Sequence, residues 1–261
     1  MTIDVTRGAP KALPLAGRTA FVTGAAQGLG FGIAGGLAEA GARVALADID
    51  DARVQDAAQA LRREGRDVIA LRLDVRDEAG FDIAFATVLD RWGRVDVMVN
   101  NAALTAHGSL WDITGDEWDE VLAVNLRGCF FGCRVAGRHM REARRGGRII
   151  NLSSIAGQQA SAASGAHYAA SKAGILALTR TFATELAACA VTVNALAPSA
   201  VESPALRGLD AAQRERLAAA TPLARFCGID EVAAAAVFLA GDGAGYITGA
   251  TLDLNGGRLM R

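Results

Sequence analysis

Apolar residues along this chain fall into two alternating kinds of run. Short continuous stretches, such as VALAD at 44–48, VDVMVN at 95–100 and RIINLS at 148–153, show little polar alternation. Strands buried on both faces read this way. Longer stretches between them repeat their apolar positions at helical spacing. The pattern predicts strands over 18–23, 43–48, 68–74, 95–100, 147–152, 191–195 and 251–254. It predicts helices over 29–40, 51–64, 78–92, 114–144, 167–189 and 229–240. Strand–helix–strand order implies βαβ units with right-handed crossovers, hence an α/β fold with a doubly wound parallel sheet and helices on both faces. One stretch, 198–221, is irregular, with a short helix expected over 210–220. No linker or repeat divides the chain, so residues 15–261 read as one domain and 1–14 as an N-terminal extension.

Composition narrows the classes. The 261 residues are 51% hydrophobic and 21% charged, which suits a globular protein. Only 5% are aromatic, so the core must be aliphatic and alanine-rich. Basic and acidic residues nearly cancel, for a net charge of −1 and no general pull toward nucleic acid or anionic lipid. The N-terminus lacks a signal-peptide apolar run, and the longest apolar run, 232–240, is too short for a membrane span. A cytoplasmic protein is expected. Cys129, Cys133, Cys189 and Cys227 form no CxxC pair and no zinc spacing, which predicts reduced thiols and no metal.

In a sheet of this kind ligands bind beyond the carboxyl ends of the strands. Polar and turn residues gather there: Gly24, Asp48, Asp74, Asn100 and Asn101, Ser153 and Ser154, and Pro198. The first strand runs into Thr23-Gly24-Ala25-Ala26-Gln27-Gly28-Leu29-Gly30. Gly24 permits a tight turn, Gly28 lets a pyrophosphate approach the backbone, and Gly30 permits close helix packing, the Rossmann-type pattern for dinucleotides. The phosphates would meet the free N–H groups of the helix start. Asp48, ending the second strand, can accept both hydroxyls of an adenosine ribose, with Ile49 against the adenine. Its bland reading is a helix cap, a role Asp50 fills better. Gly35 and Gly36 inside the first helix point to close approach of helix to sheet.

Tyr168 and Lys172 are four residues apart on a predicted helix and share a face. A tyrosine pKa near ~10 is too high for a neutral-pH base, and a nearby ammonium would lower it. Ser154 could hold a substrate oxygen beside them. His167 adjoins Tyr168 but points about a third of a turn away, and no catalytic role is expected for it. His139, in a basic run, reads as a solvated helix end.

Together these residues resemble the classical short-chain dehydrogenase/reductase family over about residues 15–257. The TGxxxGxG turn matches at 23–30, and the family's adenine-binding acid matches Asp74, followed by Val75. Its NNAG motif appears as Asn100-Asn101-Ala102-Ala103, with alanine replacing glycine. The helix-four asparagine matches Asn125, the serine matches Ser154 rather than Ser153, and the tyrosine–lysine pair matches Tyr168 and Lys172. After the sixth strand the chain reads Asn194-Ala195-Leu196-Ala197-Pro198-Ser199, then Ser203-Pro204, and Asn255-Gly256-Gly257 replaces Asp-Gly-Gly. Ala103 and Ser199 alter the pocket's shape and remove no catalytic group.

The resemblance implies hydride transfer between NAD(H) and a secondary alcohol or ketone. Tyr168 would be the acid/base, Ser154 would orient the substrate oxygen, and Lys172 would bind the nicotinamide ribose. Asn125 would position a water that links Lys172 to solvent. Cofactor contacts are expected from Gly24, Gln27, Gly28, Leu29, Gly30, Asp48, Ile49, Asp74, Val75, Asn101, Ala102, Tyr168, Lys172, Pro198, Val201 and Ser203. Asp48 favours NAD over NADP, and the nearest basic side chain after the second strand, Arg53, lies a turn into the helix. The resemblance also implies a homotetramer, or a homodimer, paired through the helices bearing Asn125 and Tyr168. Alternatives are a reductase of 3-oxoacyl thioesters and a non-catalytic dinucleotide-binding regulator. The complete Ser-Tyr-Lys set argues against the regulator.

Overall fold

The computed structural model describes residues 13–160, 164–202, 206 and 210–260. Its strands are β1 (Thr19–Thr23), β2 (Arg43–Asp48), β3 (Val68–Arg72), β4 (Val97–Asn100), β5 (Gly147–Leu152), β6 (Val191–Pro198) and β7 (Thr251–Leu254). They form one seven-stranded sheet in the order β3-β2-β1-β4-β5-β6-β7, with every pairing parallel. The order reverses between β1 and β4, which opens a crevice at their carboxyl ends.

The apolar runs have a direct structural reason. Successive side chains leave a strand on opposite faces, and here both faces are covered. Ala20 and Val22 pack with Ile33 and Leu37 of α1 (Gly28–Glu39), Val54 and Leu61 of α2 (Asp51–Arg63), and Val232 and Leu239 of α8 (Ile229–Ala240). Phe21, between them, faces Phe81 and Phe85 of α3 (Glu78–Trp92), stacking on Phe85 at 4.9 Å. The same layer holds Cys133 and Met140 of α5 (Gly128–Ala143) and Ile175 and Leu186 of α6 (Ala166–Leu186). Two shorter helices are α4 (Gly115–Leu122) and α7 (Ala211–Ala219). Caps fix several starts: Asp50 accepts from the Arg53 N–H at α2, and Thr114 accepts from the Glu117 N–H at α4, each worth about 1 kcal/mol.

The structure departs from the sequence pattern in places. The helix expected over 114–144 is broken by a π turn, Ala123–Arg127, between α4 and α5. Predicted strands 18–23, 68–74 and 95–100 are trimmed at their ends. The sixth extends to Pro198 because β7 pairs along Ala195 to Pro198. Gly35 and Gly36 do not serve approach to the sheet. A Cβ on Gly36 would lie 3.1 Å from the Ala233 Cβ, and one on Gly32 would collide with Ile229, so this glycine face seats α1 on α8. No helix among the described residues is long and apolar enough to cross a membrane.

Candidate active site

The glycine turn after β1 is built as the motif requires. Gly24 and Gly28 have φ of +63° and +57°, which side-chain-bearing residues rarely adopt. A Cβ on Gly30 would collide with the Gly24 carbonyl, while one on Gly28 would meet only open space. Gln27 makes no side-chain cap, and the first turn of α1 carries no acid, so its N–H groups and dipole are left for an anion. Thr23 braces the turn: its hydroxyl accepts from the Asn101 and Ala102 N–H groups at 3.0 and 3.1 Å. The Asn101 amide returns bonds to the Thr23 and Gly24 carbonyls, both at 3.0 Å. Asn101 therefore shapes the turn with its side chain.

Asp48 ends β2 beside this turn. Its two oxygens accept from the Ala26 N–H at 3.0 Å and the Asp50 N–H at 3.1 Å, which leaves lone pairs for hydroxyl donors. Ile49 is exposed next to it. Arg53 is nearer than its sequence position implies: its guanidinium pairs with Asp50 at 3.3 Å and reaches the Gln27 amide oxygen at 3.5 Å. Arg53, a turn into the helix by sequence, thus reaches the glycine turn. Asp74 is gripped by Arg76 through its backbone N–H and guanidinium, and Arg76 continues to Glu120 of α4 at 2.8 Å. The Arg76 hydrogen bond holds the Asp74 carboxyl below its ordinary range.

The two serines after β5 separate clearly. Ser153 is buried and donates to the Lys172 carbonyl at 2.8 Å, a structural bond. The Ser154 hydroxyl is within hydrogen-bond reach of the Tyr168 phenol and lowers its pKa, against a larger upward push from burial. The net direction is upward. Lys172 is buried, donates to the Leu152 carbonyl at 2.7 Å, and lies 5.5 Å from the centre of the Tyr168 ring. Burial pulls its pKa down to about 8. The expected depression of Tyr168 by the Lys172 ammonium does not emerge: burial raises the phenol's pKa, and the opposing influence is the Ser154 hydrogen bond.

Asn125 lies buried in the π turn. Its amide pairs with both the N–H and the carbonyl of Leu104, at 2.7 and 3.0 Å, and donates to the Ser171 hydroxyl at 3.1 Å. Ser171 in turn donates to the Tyr168 carbonyl at 2.7 Å. This chain ties the loop after β4 to the first turn of α6. Pro198 is buried at the end of β6, and Val201 bridges to Cys227. Ser203 lies outside the described residues. Val75 packs against Gly128, whose Cβ would come within 2.8 Å of it. Ser171, Arg76 and the bracing role of Thr23 were not singled out in the sequence. Only the Asp-Val-Arg spacing of Arg76 offered a signal for its ion pair.

Comparison with known proteins identifies the family. A family model described as enoyl-(acyl carrier protein) reductase matches residues 24–258. Sorbitol dehydrogenase of Cereibacter sphaeroides is 36% identical over 258 residues, spanning 94% of this chain and 99% of its own. The 3-oxoacyl-[acyl-carrier-protein] reductase FabG of Escherichia coli (strain K12) is 37% identical over 245 residues, spanning 94% and 98%. The solved structure of gox2181 matches with a TM-score of 0.90 and 36% identity over 95% of this chain and 97% of that one. With matches spanning nearly its whole length, the chain belongs to the classical short-chain dehydrogenase/reductase family, oxidoreductases that use nicotinamide dinucleotides.

Proposed function

We propose that the protein is an NAD(H)-dependent oxidoreductase that moves a hydride between nicotinamide and a secondary alcohol or ketone, with Tyr168 as the acid/base. The observation that carries this reading is the convergence of Ser154, Tyr168 and Lys172 beyond the carboxyl end of β5. Residues 15–261 would form the catalytic domain, with 1–14 as an extension. The site fits the cofactor: the positive-φ glycines, the uncapped start of α1 and the Asp48 carboxylate suit a pyrophosphate and a ribose diol. Gln27, Leu29, Ile49, Asp74, Val75, Ala102, Pro198, Val201 and Ser203 would complete its surroundings. Asp48 favours NAD, since a 2′-phosphate would be repelled by the carboxylate.

Bound nicotinamide would accept the hydride from the alcohol carbon or return it to the ketone carbon. In oxidation the Tyr168 phenolate takes the hydroxyl proton as the carbonyl forms; in reduction the neutral phenol gives a proton to the developing alkoxide. With its pKa raised, Tyr168 rests as the neutral phenol and is poised to donate. Ser154 donates to the substrate oxygen and orients it. Lys172 spends one N–H on Leu152 and keeps two for ribose hydroxyls. Asn125, its amide committed to Leu104 and Ser171, serves the proton relay by holding these elements in place.

A second reading is reduction of 3-oxoacyl thioesters, supported by the FabG relative at 37% identity. Arg214 within the irregular segment is paired with Glu202, and Arg225 just beyond it with Glu231, which leaves less free charge for an acidic carrier. A panel of alcohols with NAD, and of ketones and a 3-oxoacyl thioester with NADH, separates the readings. Turnover of the thioester alone would replace the first reading with the second.

The protein would act as a homotetramer. A groove of about 880 Å³ between α4, the π turn, α5 and α6 is lined by the half-buried Leu122, Leu126, Phe130 and Leu178 on the helices expected to pair. The cytoplasm would supply NAD(H) and keep its four free thiols reduced.

A further inference from the structure

We propose that a hydrogen bond between His167 and Glu117 positions Tyr168 for proton transfer. The inference rests on the assignment of Tyr168 as acid/base. Tyr168 is the third residue of α6, in a first turn whose N-cap, Gly165, makes no side-chain cap bond. The N–H groups of such a turn lack intrahelical partners, and the turn frays unless something outside holds it. Gly165 donates to the Ala106 carbonyl at 3.0 Å, and Ser171 holds the Tyr168 carbonyl. A further side-chain anchor of the turn is His167, with Nε2 3.1 Å from Glu117 Oε1.

The surroundings leave this histidine one arrangement. Its ring is fully buried. It lies over the α-carbon of Gly165, where a Cβ would come within 2.6 Å of Nδ1 and collide with Cε1. Nδ1 has no hydrogen-bond partner among the described residues. The partners therefore assign the proton to Nε2, with Glu117 as acceptor. Among the described residues Glu117 is the acceptor for this N–H, so losing it removes the protein partner that fixes a buried ring. Glu117 is itself fixed in the first turn of α4, where its N–H donates to Thr114 Oγ1 at 3.1 Å. The pair fastens the first turn of α6 to the first turn of α4. Tyr168, one residue on, points about 100° around the helix, toward Ser154. A shift of the turn becomes a shift of the phenol, and a misplacement near ~1 Å can cost about a hundredfold in rate.

The test uses the full chain, with kcat on the best substrate of the panel, NADH affinity by fluorescence titration, and the unfolding midpoint. Glu117→Ala is expected to lower kcat about ten- to a hundredfold, with the NADH Kd within about twofold of the parent. Glu117→Gln keeps an acceptor oxygen and is expected to recover kcat to within about threefold. Gly165→Ala, which pushes the ring from its seat, should behave like Glu117→Ala. Should Glu117→Ala fail to fold, Glu117→Asp makes the same test, since it draws the carboxylate back by one methylene. Native kcat in Glu117→Ala or Glu117→Asp, or equal losses in the Ala and Gln variants, would overturn the proposal. Tyr168→Phe in the same assay separates the two ideas. Activity retained there removes the acid/base assignment. Activity lost there, with native kcat in Glu117→Ala, removes only the positioning role.

Discussion

Replacing Lys172 by methionine should make the protein more stable while abolishing turnover. Lys172 is buried, and burial lowers its pKa from 10.5 to about 8. That displacement means the folded state pays about 3 kcal/mol to keep the ammonium charged at pH 7. Methionine has similar length and no charge, so the cost disappears. The substitution also deprives the Leu152 carbonyl of its 2.7 Å bond, a loss of about 1 kcal/mol. A net gain of about 2 kcal/mol at pH 7 follows from these two magnitudes. Its pH dependence has a definite sign. A lysine with a depressed folded pKa destabilises the fold fully below about pH 8. The penalty fades as pH rises from 8 toward the unfolded value of 10.5, because over that window the unfolded chain binds the extra proton. Urea denaturation of parent and variant at pH 7 and pH 9.5 measures the difference. A variant less stable than the parent at pH 7, or a gap that does not narrow with pH, would refute the reasoning. On the proposed mechanism the buried charge is kept for the ribose and for Tyr168, a trade of stability for function.

Two further outcomes follow from the site and the surface. The parent should favour NAD over NADP in kcat/KM by about ten- to a thousandfold, with Arg53 beside Gln27 drawing the ratio toward the lower end. Combining Asp48→Ser with Ile49→Arg should narrow or reverse that ratio at fixed salt, and equal parental use of both cofactors would show that Asp48 does not face the ribose. Light scattering at working concentration should report a tetramer; a monomer would leave the groove along α4, α5 and α6 uncovered and contradict the proposed assembly.

The strands were legible because both faces of the sheet are buried, so VALAD and VDVMVN carry no polar alternation to blur them. The π turn was not, since Ala-Val-Asn-Leu-Arg contains no helix breaker and its register is set by Asn125 reaching Leu104 and Ser171. The end of β6 was hidden for a similar reason: its last residues pair with β7, more than fifty positions away. Within the site, the glycine turn and the Tyr168–Lys172 spacing could be read because each is local. The spacing placed Lys172 on the face of Tyr168 but carried no information about burial, which decides the direction of both pKa shifts. Arg53 beside Gln27, Arg76 between Asp74 and Glu120, and Glu117 beneath His167 all join separate elements, and only the folded chain brings them together.

The central claim, that Tyr168 transfers the proton, is tested most directly by Tyr168→Phe, which removes one oxygen and keeps the ring. Turnover of the best substrate is measured alongside fluorescence titration of NADH. The account predicts a fall in kcat of about a hundred- to ten-thousandfold with NADH affinity nearly unchanged. Near-native turnover in the purified variant would contradict it.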